Sequence, residues 1–248
     1  MIHKSLKPLW ISAIAIGLAF SSYSVSALPF NTKFTQNASG DERKVKNFEG
    51  VASGGPLQVV ITLGNTESLR FEGDQEAIST LVSEIKGSTL IIRPQISWTS
   101  WARKYQGKKI VAYITAKKIR NLVMSGDGSI TVNGTINEDA LNATLSGSGN
   151  MNVKVNVNKL NAVVSGSGTL NVTGKADDAS VTLSGSGSLP KSGFEVGDLS
   201  AVISGSGNVN VTTNGNIDAL ISGSGSVNYK GNASVTQKTF GSGKVKRI

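Results

Sequence analysis

The chain has 248 residues, a formal net charge of +9, no cysteine and one histidine, His3. Without cysteine there is no disulfide, no thiol nucleophile and no residue to carry a lipid. With its one histidine at position 3, the body of the chain offers no Ser/His triad and no conventional zinc site. A basic excess of this size fits a solvated surface better than a dedicated partner, though it favours anionic partners such as acidic glycans or lipopolysaccharide phosphates.

Residues 1–27 read as a secretory signal: Lys4 and Lys7, then the apolar run LWISAIAIGLAF (9–20), then Val25-Ser26-Ala27 with cleavage expected after Ala27. That run is short of the roughly 20 residues that span a bilayer, and no later stretch is apolar enough to span. The exported chain keeps 221 residues with a net charge of +7. Residues 28–40 read as an exposed leader, and 41–248 as a single domain. In that domain, 42–64 supplies strands around the corner SGGPL, which looks like a worn copy of a turn described below. The stretch 68–94 predicts one short helix near the N-terminal end. Asp74 suits the N-cap, Ile78, Leu81, Val82 and Ile85 form an apolar stripe, and Gly87 suits the stop. Such a helix would cover an open sheet end. Strands TLIIR (89–93) and KIVAYIT (109–115) flank a less regular segment.

That segment, WTSWARKYQGKK (98–109), interleaves rings and cations. Trp98, Trp101, Arg103, Lys104 and Tyr105 are the candidate contact for a glycan or an anionic envelope component. The competing reading packs the rings over the edge beside the helix, with the lysines merely solubilising. Exposed rings favour binding and buried rings favour structure. Oligonucleotide binding by these residues does not fit an exported chain.

From 124 onward a turn recurs. MSGDGSI, LSGSGNM, VSGSGTL, LSGSGSL, ISGSGNV and ISGSGSV begin their blocks at Ser125, Ser146, Ser165, Ser184, Ser204 and Ser222, at intervals of 21, 19, 19, 20 and 18 residues, and FGSGKV closes the series. Before each block runs an alternating stretch such as LNATL (141–145) or LSAVI (199–203), and the alternation resumes afterwards. Period two means a strand with one buried face. One such unit cannot bury that face alone, but stacked copies can, with neighbours about 4.8 Å apart. The expected fold is therefore all-β: a right-handed parallel β-helix of about 18–21 residues per coil, the repeats spanning 125–243. Leu145, Val164, Leu183, Ile203 and Ile221 should form one inner ladder. Gly147, Gly149, Gly166, Gly168, Gly185, Gly187, Gly205, Gly207, Gly223 and Gly225 should shape the corner, because glycine tolerates positive φ. The small serines would let corners stack, their hydroxyls satisfying turn amides or each other.

No chemistry attaches to these blocks. A calcium ladder needs an acid in each turn, and only Asp127 supplies one. No GxxxxGK[ST] phosphate loop occurs. The acid pairs Glu138-Asp139 and Asp177-Asp178, with Lys159 between them in the chain, fall in the looser turns and read as a solvated edge rather than a polysaccharide-cleaving site. No cofactor, metal site or catalytic residue is expected.

FEGVASGGPLQVVITLG, SLRFEGD, TLIIRP and IRNLVMSGDGSITV, followed by the SGSG repeats, resemble in their order the head GIN domain family of adhesin-like proteins. The resemblance covers roughly 41–248. It implies an exported β-helical domain, periplasmic or on the bacterial surface, and brings no catalytic residues. Members often begin with a lipoprotein cysteine, which this chain lacks. The expectation is a non-catalytic adhesin-like module; a purely structural envelope protein is the alternative and a polysaccharide-cleaving enzyme the third reading.

Overall fold

The computed structural model describes residues 40–190 and 193–248; the expected signal and the leader through residue 39 lie outside the described residues. In chain order come β1 (Asp41–Arg43), β2 (Gly50–Gly54), β3 (Gln58–Leu63), β4 (Ser68–Gly73), α1 (Gln75–Ser79), β5 (Leu81–Lys86), β6 (Thr89–Pro94), α2 (Trp98–Lys104) and β7 (Ile110–Ala116). The repeat region follows with β8 (Asn121–Gly126), β9 (Ser129–Gly147), β10 (Asn150–Gly166), β11 (Thr169–Gly185), β12 (Ser188–Leu189) and β13 (Phe194–Gly205). The chain closes with β14 (Asn208–Thr212), β15 (Asn216–Gly223), β16 (Ser226–Lys230), β17 (Ser234–Gly241) and β18 (Lys244–Arg247). Of the described residues 69% are strand and 6% helix, wound into a β-solenoid of about seven turns.

Period-two alternation produces the ladders. Leu145, Val164, Leu183, Ile203 and Ile221 are in register through successive parallel pairings and are all 0% exposed. Each such side chain removed from water contributes about 1.5–3 kcal/mol. A parallel stack lets every coil share this burial with two neighbours. Beside it runs a narrower ladder, Ala143, Ala162, Val181, Ala201 and Ala219, whose small side chains leave room for the larger ones.

Both glycines of each SGSG corner are crowded by the coil before, a Cβ on Gly147, Gly166, Gly185, Gly205 or Gly223 standing 2.3–2.6 Å from a glycine carbonyl oxygen there, and only the first also needs its backbone freedom. The first lies at positive φ (Gly147 at 111°, Gly166 at 113°, Gly185 at 108°, Gly205 at 124°, Gly223 at 122°). The second is needed for proximity: a Cβ on Gly149, Gly168, Gly187, Gly207 or Gly225 would stand 2.6–3.1 Å from the carbonyl oxygen of the matching glycine one coil back. The corners are joined by backbone hydrogen bonds, such as Ser167 N–H to Gly147 O at 3.0 Å and Ser206 N–H to Gly185 O at 2.9 Å. The turn amides thus find main-chain carbonyls in the coil below. The serine hydroxyls expected for that task are not needed.

The looser turn on the other side is a bend inside a continuous strand in β9, β10 and β11, and a break between strands from β14 to β15 and from β16 to β17. β10 keeps its pairing to β11 up to Val157↔Ala176 and takes it up again at Lys159↔Asp178. Burial slips by one residue there, from Val157 to Leu160.

The N-terminal region corrects two expectations. Asp74 caps α1 as expected, its Oδ1 accepting from the Ala77 N–H at 3.0 Å. The helix nevertheless ends at Ser79, and Leu81–Lys86 is strand β5, antiparallel to β6 across the two-residue turn Gly87–Ser88. Positions 78, 81, 82 and 85 fit a helical stripe, but the free edge of β6 supplies a partner for β-branched Val82 and Ile85, and pairing wins. Gly87, at φ 59°, is the hairpin glycine rather than a helix stop. A second helix, α2, occupies the segment read as irregular, with Ser97 as its N-cap.

Stacking order departs from chain order. β2 and β3 pair in parallel with β6 and β7 on one side and with β8 and β9 on the other. The chain therefore lays its second layer first, builds the end layer, and steps back to continue. Antiparallel β4, β5 and β1 close that end.

Candidate binding surface

Segment 98–109 caps this end. Trp98 is half-buried and lies over the corner glycines: an added Cβ would stand 2.5 Å from its Nε1 at Gly54 and 2.3 Å from its Cε3 at Gly55. The indole thus occupies the place that another coil's corner would take. Trp101 is 2% exposed, meets Trp98 edge-on at 5.8 Å between centroids, and donates from Nε1 to Thr80 Oγ1 at 2.8 Å. Tyr105 is 5% exposed, 5.2 Å from Trp101, and its hydroxyl meets Glu76 Oε1 at 3.3 Å. Two of the three rings are therefore core. An α-helix sets positions 98, 101 and 105 on one face, which lies against the layer below.

The cations of the segment face outward, but two are ion-paired. Lys104 Nζ is 3.1 Å from Glu76 and Lys108 Nζ 2.8 Å from Asp74. The Tyr105 hydroxyl, then Glu76, holds the Lys104 ammonium above its ordinary value; Asp74 does the same for Lys108. Arg103 is exposed and makes no ion pair among the described residues.

Three carboxyls of this end are held below their ordinary values: Asp74 by Lys108 and the Ala77 amide, Glu84 by Arg93, and Glu67 by the Asn47 amide. A depressed carboxyl stabilises the fold fully above its unfolded value, here 3.8 for Asp and 4.5 for Glu, and loses that contribution as pH falls through the folded one. The cap should therefore loosen in acid before the coils do. Trp98 and Trp101 are the only tryptophans after residue 27. Below about pH 4.5, tryptophan emission from the chain lacking 1–27 should change at a higher pH than strand circular dichroism. Coincident transitions would contradict this.

A second surface lies on the flank of the coils. A groove of about 460 Å³ crosses successive turns there, lined by Lys159, Asn161, Asp178, Ser180, Asp198 and Ser200 and continued by Asp218 and Thr236. Asn161, Ser180, Ser200, Asp218 and Thr236 form one outward column in register. Asn142 and Asn121 extend it by amide hydrogen bonds of 2.9 Å each. Beside it runs an exposed methyl-rich column, Val123, Thr144, Val163, Thr182, Val202 and Leu220. Asp178 is opposite Asp198 and beside Lys159, residues of three different coils. The spacing of 20 residues between Asp178 and Asp198 carries this signal. The same spacing from Asp198 to Asp218 misleads, because the shorter coil pairs Asp218 with Ser200.

The groove offers hydrogen-bonding groups at one-coil intervals over a shallow, partly apolar floor. It holds no histidine or cysteine, and no group of three or more His, Cys, Asp or Glu that could hold a metal occurs among the described residues. No helix among the described residues is long and apolar enough to cross a membrane.

Fold and surface define a laddered β-solenoid with an open lateral groove. The sequence profile of the family described as "Putative auto-transporter adhesin, head GIN domain" matches residues 47–233, and the chain belongs to that family. No curated protein matches the sequence. A solved structure described as a putative adhesin from Bacteroides fragilis aligns with TM-score 0.76 at 23% identity, over 84% of this chain and 96% of its own. A second of that description, from Parabacteroides merdae, gives 0.65 at 22% over 85% and 95%. A protein from Parabacteroides distasonis described as a putative lipid binding protein gives 0.64 at 23% over 86% and 98%. At these identities the likeness carries the fold.

Proposed function

We propose that this chain is an exported, non-catalytic envelope module that holds a neutral or amino-bearing glycan along the flank groove, in the manner of an adhesin. The observation that carries the reading is the 460 Å³ groove with its in-register column of Asn, Ser, Asp and Thr. A sugar ring has hydroxyl edges and an apolar C–H face; the column meets the first and the methyl-rich column the second. Three aspartates against one lysine disfavour an anionic glycan at this place. The family's adhesin description supports recognition at the cell surface or in the envelope. Binding fits better than cleavage, because Asp178 and Asp198 rise from one ladder on one side of any ligand. Glycosidic hydrolysis needs carboxyls flanking the bond. Asp198 is also engaged, accepting from the Asn216 backbone N–H at 2.7 Å and from its side-chain amide at 3.0 Å.

Burial of Trp101 and Tyr105 favours a second reading, a structural envelope protein with no ligand of its own. One experiment separates the two. Purified chain is screened against envelope glycans, and the double variant Ser180→Arg, Ser200→Arg is compared with the parent. Filling the groove should weaken glycan binding at least about tenfold while changing stability by about 0.5 kcal/mol or less, as exposed substitutions do. The structural reading predicts no retained glycan. Binding that ignores the double variant would move the site elsewhere.

A further inference from the structure

The chain's charge is not spread evenly. Of its 25 Lys and Arg and 16 Asp and Glu, residues 219–248 hold five cations, Lys230, Lys238, Lys244, Lys246 and Arg247, and no acid. These residues include β17 and β18, the last described coil, stacked on β15 and β16. Three of its inward positions turn polar, Gln237, Thr239 and Arg247 taking the ladder places of Ala219, Ile221 and Tyr229, while Val235 and Val245 keep those of Ile217 and Val227. Gln237 Oε1 accepts from the Val245 N–H at 3.2 Å, closing the coil's interior with a side chain. Its outward positions become more basic, Lys238, Lys244 and Lys246 taking the places of Leu220, Ser226 and Asn228, and one becomes aromatic. Phe240 replaces the corner serine, in register with Ser222, and is 57% exposed, with Ile248 at 51%. The Lys238 ammonium sits 5.3 Å from the Phe240 ring centroid.

We propose that this last coil is a docking end for an anionic lipid surface. Lysines clustered around an exposed aromatic and aliphatic group are what a negatively charged headgroup layer attracts: the ammonium groups pair with phosphates while Phe240 and Ile248 enter the interface. A second copy meeting this coil face to face would set Lys238, Lys244, Lys246 and Arg247 against the same four cations. The proposal does not rest on the glycan groove.

Flotation of the chain lacking 1–27 with vesicles tests it, comparing phosphatidylcholine alone with phosphatidylcholine containing phosphatidylglycerol. Binding is expected only to the anionic vesicles. Each cation near such a surface is worth about 1 kcal/mol, or about fivefold in partitioning. The triple variant Lys238→Gln, Lys244→Gln, Lys246→Gln should therefore lose about a hundredfold, and Phe240→Ser several-fold, most visibly at high salt. The same neutralisation at Lys44, Lys46 and Lys118 should cost far less, and Ser180→Arg with Ser200→Arg should leave flotation unreduced. Equal loss from the two triple variants would overturn the proposal, as would binding to neutral vesicles, indifference to Phe240→Ser with full competition by soluble polyphosphate, or a dimer in sedimentation that the Lys238 triple variant dissociates.

Discussion

Gly205→Val should lower stability by about 2–6 kcal/mol in urea unfolding, the sum of two costs. Gly205 sits at φ 124°, and a β-branched residue held in such a sparsely populated region is strained by about 1–3 kcal/mol. Its Cβ would also stand 2.3 Å from Gly185 O, a backbone atom that cannot rotate away, and forced displacement of a packed neighbour adds about 1–3 kcal/mol. Moving that corner disturbs the bonds that stack it on the next, Ser224 N–H to Gly205 O at 2.9 Å and Gly225 N–H to the same oxygen at 3.0 Å. Two controls divide the effect. Gly107→Ala keeps positive φ (77°) but meets nothing within 4 Å, so only strain of about 1–2 kcal/mol should appear. Gly207→Ala has no positive φ but would meet Gly187 O at 2.7 Å, so it isolates the crowding. Tolerance of Gly205→Val would mean the corners are not stacked as described.

Trp98→Ala combined with Trp101→Ala should lower the melting temperature sharply. Truncating a buried tryptophan costs about 3–5 kcal/mol, and a chain of this length loses about 2–4 °C per kcal/mol. The expected fall is roughly 6–20 °C. Most of it should come from Trp101, whose ring is 2% exposed and whose Nε1 binds Thr80. Trp98 contributes by covering Gly54 and Gly55. If the groove is the site, glycan affinity of the folded double variant should be unchanged. An unaltered melting temperature with abolished binding would return these rings to the ligand-contact role that their composition first indicated.

The contrast between these two sites shows where sequence patterns carry information. The corner glycines were legible because the same backbone problem recurs at each coil, so one motif reports many positions. What the motif did not reveal is that close approach selects both glycines and positive φ only the first. The tryptophans left two readings open for the opposite reason. Trp, Arg and Lys interleaved in WTSWARKYQGKK describe a sticky surface and a solenoid cap equally well, and only helix phase decides which side of α2 meets the core. The helix expected over 74–87 shows the same limit. Its N-cap is a local hydrogen bond and was visible, but its end depended on whether Leu81–Lys86 would find the edge of β6.

By itself, then, the sequence determined the alternation, the coil period, the inner ladder from Leu145 to Ile221 and the recurring corner, because each follows from contacts between equivalent positions one period apart. It also determined the absence of histidine and cysteine chemistry beyond position 3. The tertiary structure alone decided the out-of-order layering of β6 and β7 beneath β2 and β3, the burial of Trp101 and Tyr105, and the meeting of Asp178 with Asp198 across coils. Those depend on which sheet edge is free when a segment arrives and on coil lengths that differ by one or two residues, and neither is set by any local stretch of chain.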